Sequence, residues 1–201
     1  MKYTIQKKGT SVYKEKQSEF IGHIYPFSDI TQFRFYLKDL KKEYHDARHF
    51  CWAYRIQGSH EIEENTSDAG EPNGTAGLPI LHQLKQVGLV NVGLIVIRYF
   101  GGIKLGKRGL IESYGQSASD TIQTVKRYPF QDVVLYKLTA PMDFYGPLSS
   151  HLSQLDGKII EDQSAQSIVW KIEYPRKQIN HLIKMVIEST HGHGILEPWN
   201  G

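Results

Sequence analysis

The chain has 201 residues, 40% hydrophobic and 22% charged, with a net charge of +3 at neutral pH. That suits one large soluble domain or two small ones with a real core, and excludes collagen-like, coiled-coil and wholly disordered chains. No apolar run approaches the roughly 18 residues of a membrane-spanning helix, and MKYTIQKKGT lacks the apolar stretch of a signal peptide. The single cysteine, Cys51, excludes an internal disulfide, a CxxC redox pair and a zinc knuckle, so a reducing cytoplasm is expected.

In chain order, strands are predicted at Tyr3–Gln6, Thr10–Glu15 and Glu19–Pro26. A helix follows, capped by Ser28 or Asp29, with Phe33, Tyr36, Leu37 and Leu40 on its apolar face. His49–Ile56 alternates as a strand. Gln57–Gly77 then reads as a long polar loop, of the kind usually reserved for function or disorder. Leu78–Val87 reads as a short helix, Val90–Phe100 as a buried strand and Lys107–Val125 as a helix, with a boundary near Tyr128-Pro129. Beyond it come the strand Val133–Ala140, the helix Tyr145–Leu155, the strands Lys158–Glu161 and Ile168–Tyr174, the helix Arg176–Thr190 and a short strand at Ile195–Leu196. The order β-α-β-β-α-β predicts a ferredoxin-like sandwich over residues 131–201, following an α+β domain over 1–130. The first part carries 18 Lys and Arg against 13 Asp and Glu, the second 6 against 8. The basic balance of the first is a weak pointer to a polyanionic partner.

Two segments carry chemistry. Ser67–Ile80, SDAGEPNGTAGLPI, holds three glycines, two prolines, Asp68 and Glu71. Such a loop either turns the chain or presents backbone N–H groups to a ligand. Arg98–Leu110, RYFGGIKLGKRGL, follows a strand pattern and opens a helix pattern, the setting in which backbone amides and a helix N-terminus hold an anion. Arg98, Lys104, Lys107 and Arg108, around Gly101, Gly102 and Gly106, make phosphate the natural ligand; a tight turn with solvated charges is the plain alternative. Gly101–Lys107 matches the front of a Walker A loop. Arg108 stands where magnesium binding needs Ser or Thr, so an ATPase or GTPase is not expected. His45, Asp46 and His49 spell no complete metal site, and no cofactor is expected. Cys51 in FCWAY reads as inert core. Asp68 with Glu71 has no accompanying nucleophile, so no catalytic residue is assigned.

Together the two loops resemble a family. Asp68-Ala69-Gly70-Glu71-Pro72-Asn73-Gly74-Thr75-Ala76-Gly77-Leu78-Pro79-Ile80 and Arg98-Tyr99-Phe100-Gly101-Gly102, then Leu105-Gly106, are similar to the signature of the IMPACT/YigZ family of uncharacterised proteins. Asp46–His49 and Cys51–Arg55 agree upstream, and the match covers residues 15–125. The resemblance implies a bacterial-type member, without the additional N-terminal domain of eukaryotic relatives. It implies a first domain similar to domain IV of elongation factor G and a ferredoxin-like second domain similar to its domain V. Both modules contact the ribosome there. Three positions depart from the family pattern, two of them in and just after the second segment: Arg108 replaces a glycine and Glu112 an arginine. Arg48 replaces a threonine and adds a cation. The leading expectation is a non-catalytic RNA- or ribosome-binding protein acting in translation or its regulation. Alternatives are a phosphorylated-ligand binder or enzyme with the Asp68/Glu71 loop as a lid over the Arg98–Lys107 loop, and a protein-binding adaptor. Membrane association is not expected, and oligomeric state is not legible.

Overall fold

The computed structural model describes residues 1–58 and 61–199 and is mixed α+β, divided into two units, Met1–Phe130 and Gln131–Gly201. In the first unit the order is β1 (Tyr3–Ile5), β2 (Gly9–Glu15), β3 (Ser18–Pro26), α1 (Ile30–Glu43), β4 (His49–Gln57), β5 (Ile62–Ser67), α2 (Gly77–Gln86), β6 (Val92–Tyr99), α3 (Gly106–Gln123) and β7 (Arg127–Pro129). Five of these strands form one antiparallel sheet, ordered β2-β3-β6-β4-β5.

Strand β6 is central and buried until its last residue because helices cover both faces of the sheet. Its side chains alternate, as the period of a strand requires. Val92, Leu94 and Val96 pack with Ile80 and Leu84 of α2 and with Leu110, Tyr114, Ala118 and Ile122 of α3. Ile95 and Ile97 face the other way, onto Phe33 and Leu40 of α1. Helix α1 starts where Asp29 accepts a hydrogen bond from the Thr31 amide at 2.7 Å, an N-cap of ordinary kind. Strands β2 and β3 are joined by Lys16 and Gln17 alone, both at positive φ (45° and 66°), the geometry of a primed hairpin turn.

The sequence reading of Gln57–Gly77 as one long loop is corrected. Residues 62–67 form edge strand β5, in register with β4 from Trp52↔Ser67 to Gln57↔Ile62; residues 59 and 60 lie outside the described residues. Beyond its ladder to β4, β5 is tied down by ion pairs. Glu64 accepts from Arg55 Nε at 2.9 Å and from Lys85 Nζ at 2.8 Å. The predicted boundary at Tyr128-Pro129 falls inside β7, which pairs antiparallel with β1 from Tyr3↔Pro129 to Ile5↔Arg127.

His23 lies on the α1 side of β3, beside Tyr25 and Tyr44. Its Nδ1 is 3.1 Å from Thr10 Oγ1, while buried Nε2 has no partner among the described residues. Burial lowers its pKa below the usual histidine value, Glu43 opposes that shift, and Lys8 adds to it. The folded chain therefore binds this proton less readily than the unfolded one, and stability falls as pH drops below about 6.5. Urea unfolding of the wild type should show that loss between about pH 7.5 and 5.5, and His23→Phe should flatten it. Equal slopes for both proteins would remove His23 as the cause.

The second unit runs β8 (Val133–Pro141), a 3-10 turn at Met142–Phe144, α4 (Tyr145–Gln154), β9 (Lys158–Asp162), β10 (Ser167–Pro175), a 3-10 turn at Arg176–Gln178, α5 (Ile179–Ser189) and β11 (Ile195–Pro198). Its antiparallel sheet is ordered β11-β8-β10-β9. Ile168, Trp170, Ile172 and Tyr174 alternate inward from β10 to meet Leu148 and Leu152 of α4 and Leu182, Met185 and Val186 of α5. No helix among the described residues is long and apolar enough to cross a membrane.

Candidate nucleic-acid interface

Register brings four segments to one end of the first unit's sheet. The β2–β3 turn lies there, because Glu19 of β3 pairs with Tyr99 of β6. The start of β4 lies there too, because His49 pairs with Arg98. The β5–α2 and β6–α3 loops complete the cluster. They are the two segments singled out in the sequence.

The β5–α2 loop is built around its own carboxylates. Asp68 Oδ2 accepts from the Gly74 amide at 2.8 Å, and Oδ1 accepts from the Ala76 and Gly77 amides at 2.9 Å each. The amides that could hold an external anion at the start of α2 are thus filled from within the chain. Thr75 donates its hydroxyl to the Pro72 carbonyl at 2.6 Å, Gly70 and Gly74 take positive φ, and Pro79 sits in the first turn of α2. His49 Nδ1 lies 3.1 Å from the Ala69 carbonyl and ties the loop to β4.

Arg98 corrects the sequence expectation of an open cation. Its side chain is 7% exposed and donates Nη1 to Glu71 Oε1 at 2.7 Å; Glu71 is 4% exposed. Tyr114 of α3 donates to the same carboxylate oxygen at 2.9 Å. Ser18 Oγ accepts from Arg98 Nη2 at 3.4 Å and from the Gly101 amide at 3.2 Å. The two loops are therefore joined by a buried ion pair, and no free Arg98 waits beneath a lid. Burial pushes the Cys51 thiol up to about 12, an inert group that shares its proton between the Asp68 carbonyl at 2.9 Å and Tyr114 Oη at 3.3 Å. Tyr99 donates to Asp46 at 2.7 Å, which raises the phenol to about 12 and lowers the carboxyl.

The remaining predicted cations are exposed. Lys104 lies in the β6–α3 loop and Lys107 in the first turn of α3, while Gly102 and Gly106 turn the loop at φ 87° and 71°. Arg108 is helical, and its Nε donates to Glu112 at 2.8 Å. These two departures from the family pattern, Arg108 and Glu112, are thus partners one helical turn apart. Arg48 and Lys16 are exposed at the same end. Lys16 is not marked in the sequence, because a Lys-Gln turn carries none of the Asn-Gly or Asp-Gly chemistry of a two-residue hairpin. Lys16, Arg48, Lys104 and Lys107 have no carboxylate partner among the described residues. Phe100 and Ile103 are 55% and 44% exposed beside them.

The sequence model of the Impact N-terminal domain matches residues 16–122, the stretch that builds this cluster. The chain belongs to the IMPACT family. It is 29% identical over 190 residues to IMPACT family member YvyE of Bacillus subtilis, covering 94% of this chain and 87% of that one. It is 28% identical over 185 residues to IMPACT family member YigZ of Escherichia coli, covering 91% and 90%. A solved structure described as that of an hypothetical protein superposes with a TM-score of 0.67 at 26% identity, covering 98% of this chain and 97% of that one. Membership of the IMPACT family gives the buried links of the motif a common reading. Asp68, Glu71, Arg98 and Ser18 shape the two loops and leave the side chains between them exposed.

Proposed function

We propose that this IMPACT family chain is a cytoplasmic RNA- or ribosome-binding protein, acting in translation or its regulation by binding rather than by catalysis. The observation that carries the reading is the imbalance at one end of the sheet. Asp46, Asp68 and Glu71 are engaged by donors of the chain itself, whereas Lys16, Arg48, Lys104 and Lys107 are exposed without carboxylate partners among the described residues. Exposed, unpaired cations around an exposed aromatic suit phosphate and base together. The family resemblance implies units similar to domains IV and V of elongation factor G, and on that expectation the ribosome is the proposed source of that RNA. The occupied carboxylates and the high thiol pKa favour binding over acid-base or nucleophilic chemistry.

Co-sedimentation with ribosomes across a salt series tests this. Wild type should pellet at low salt and release as salt rises, and alanine at Lys16, Arg48, Lys104 and Lys107 together should abolish pelleting while thermal unfolding stays unchanged. Wild type that stays in the supernatant even at low salt would overturn the proposal.

A further inference from the structure

We infer that Phe100 is a stacking platform for an unpaired base of single-stranded RNA, with Lys104 and Lys107 taking the neighbouring phosphates. This rests on the RNA-binding reading above and names the chemistry of the ligand. Most aromatic rings of the first unit pack against one another, as Phe27, Phe33, Trp52 and Tyr54 do on the α1 face. Phe100 instead stands 55% exposed, in a loop that also holds Lys104 and exposed Ile103. Its support is fixed. The Arg98 guanidinium lies 5.5 Å from its ring centroid, and that guanidinium is itself held by Glu71 and Ser18. The next residue, Gly101, is anchored by its amide to Ser18. A ring held from below by a cation and open to solvent offers a face to any base, since every base has one. A duplex keeps its bases stacked on each other and has none to give a ring on a loop, which selects the single strand.

The test is fluorescence anisotropy of the full chain with a labelled, mixed-sequence single-stranded RNA of about 12 nucleotides, and with a duplex of equal length. Phe100→Ala should weaken single-strand binding by about 5- to 100-fold and leave its salt dependence unchanged. Phe100→Trp should keep the affinity. Lys104→Ala with Lys107→Ala should lower the slope of log K against log salt by about 1.4, the value for two phosphate contacts on a single strand. Circular dichroism of each variant should match wild type, since all three side chains are exposed. Phe100→Ala binding like wild type, or a duplex binding as well as the single strand, overturns the stacking site. Ribosome pelleting without affinity for the single strand does so too and spares the broader reading. Loss of both removes the two together.

Discussion

Glu71→Ala should destabilise the first unit by about 3–5 kcal/mol, because it strands the Arg98 guanidinium as a buried charge. It also leaves the Tyr114 hydroxyl without its acceptor, adding to the loss. Urea unfolding of the full chain, with hydrogen exchange of the β3, β4 and β6 amides reporting the first unit, measures the effect. Glu71→Gln keeps an acceptor and should cost less. The double replacement Glu71→Leu with Arg98→Met removes both charges and should recover a large part of the stability, since an apolar pair of similar volume needs no desolvation. A Glu71→Ala protein within about 1 kcal/mol of wild type would show that the buried pair does not hold the loops together.

Gly101→Ala should cost about 3 kcal/mol or more, near the upper end for an inserted methyl group. A Cβ at Gly101 would run into the Gln17 carbonyl group and come within 2.5 Å of the Ser18 amide nitrogen. These are backbone atoms of the β2–β3 turn and cannot step aside as a side chain can. Gly102→Ala is the control. A Cβ there meets nothing within 4 Å, so only its φ of 87° opposes alanine, at about 1–2 kcal/mol. Thermal unfolding of the two variants side by side checks the order. Equal losses would mean that positive φ, and not the close approach of two chain segments, accounts for Gly101.

Much of this architecture is written in local pattern. β6 and β10 are legible because apolar residues either run on or alternate, and α5 because Leu182 and Val186 return one helical turn apart. β5 escapes because the inward position that matters most carries Glu64, whose partners Arg55 and Lys85 lie 9 and 21 residues away. An edge strand held by ion pairs has no hydrophobic period to read. The same distance hides the site's chemistry. Arg98 looks like a free phosphate ligand in its own segment, and only the fold brings Glu71 against it from 27 residues earlier. Lys16 and Arg48 join Lys104 and Lys107 only through strand register. The glycines and cations of RYFGGIKLGKRGL are thus visible as a group, while the division between those that build the loop and those left for a partner is a tertiary fact.

The pairing of β1 with β7 also decides how the first unit connects to anything else. The Phe130 amide donates to the Lys2 carbonyl at 2.9 Å, so the chain comes in and goes out at neighbouring points. A module with adjacent ends can be spliced into a surface loop of a host protein with little stretching of that loop and little closure entropy. The same adjacency lets a short linker close the unit into a ring, with new termini cut elsewhere on its surface.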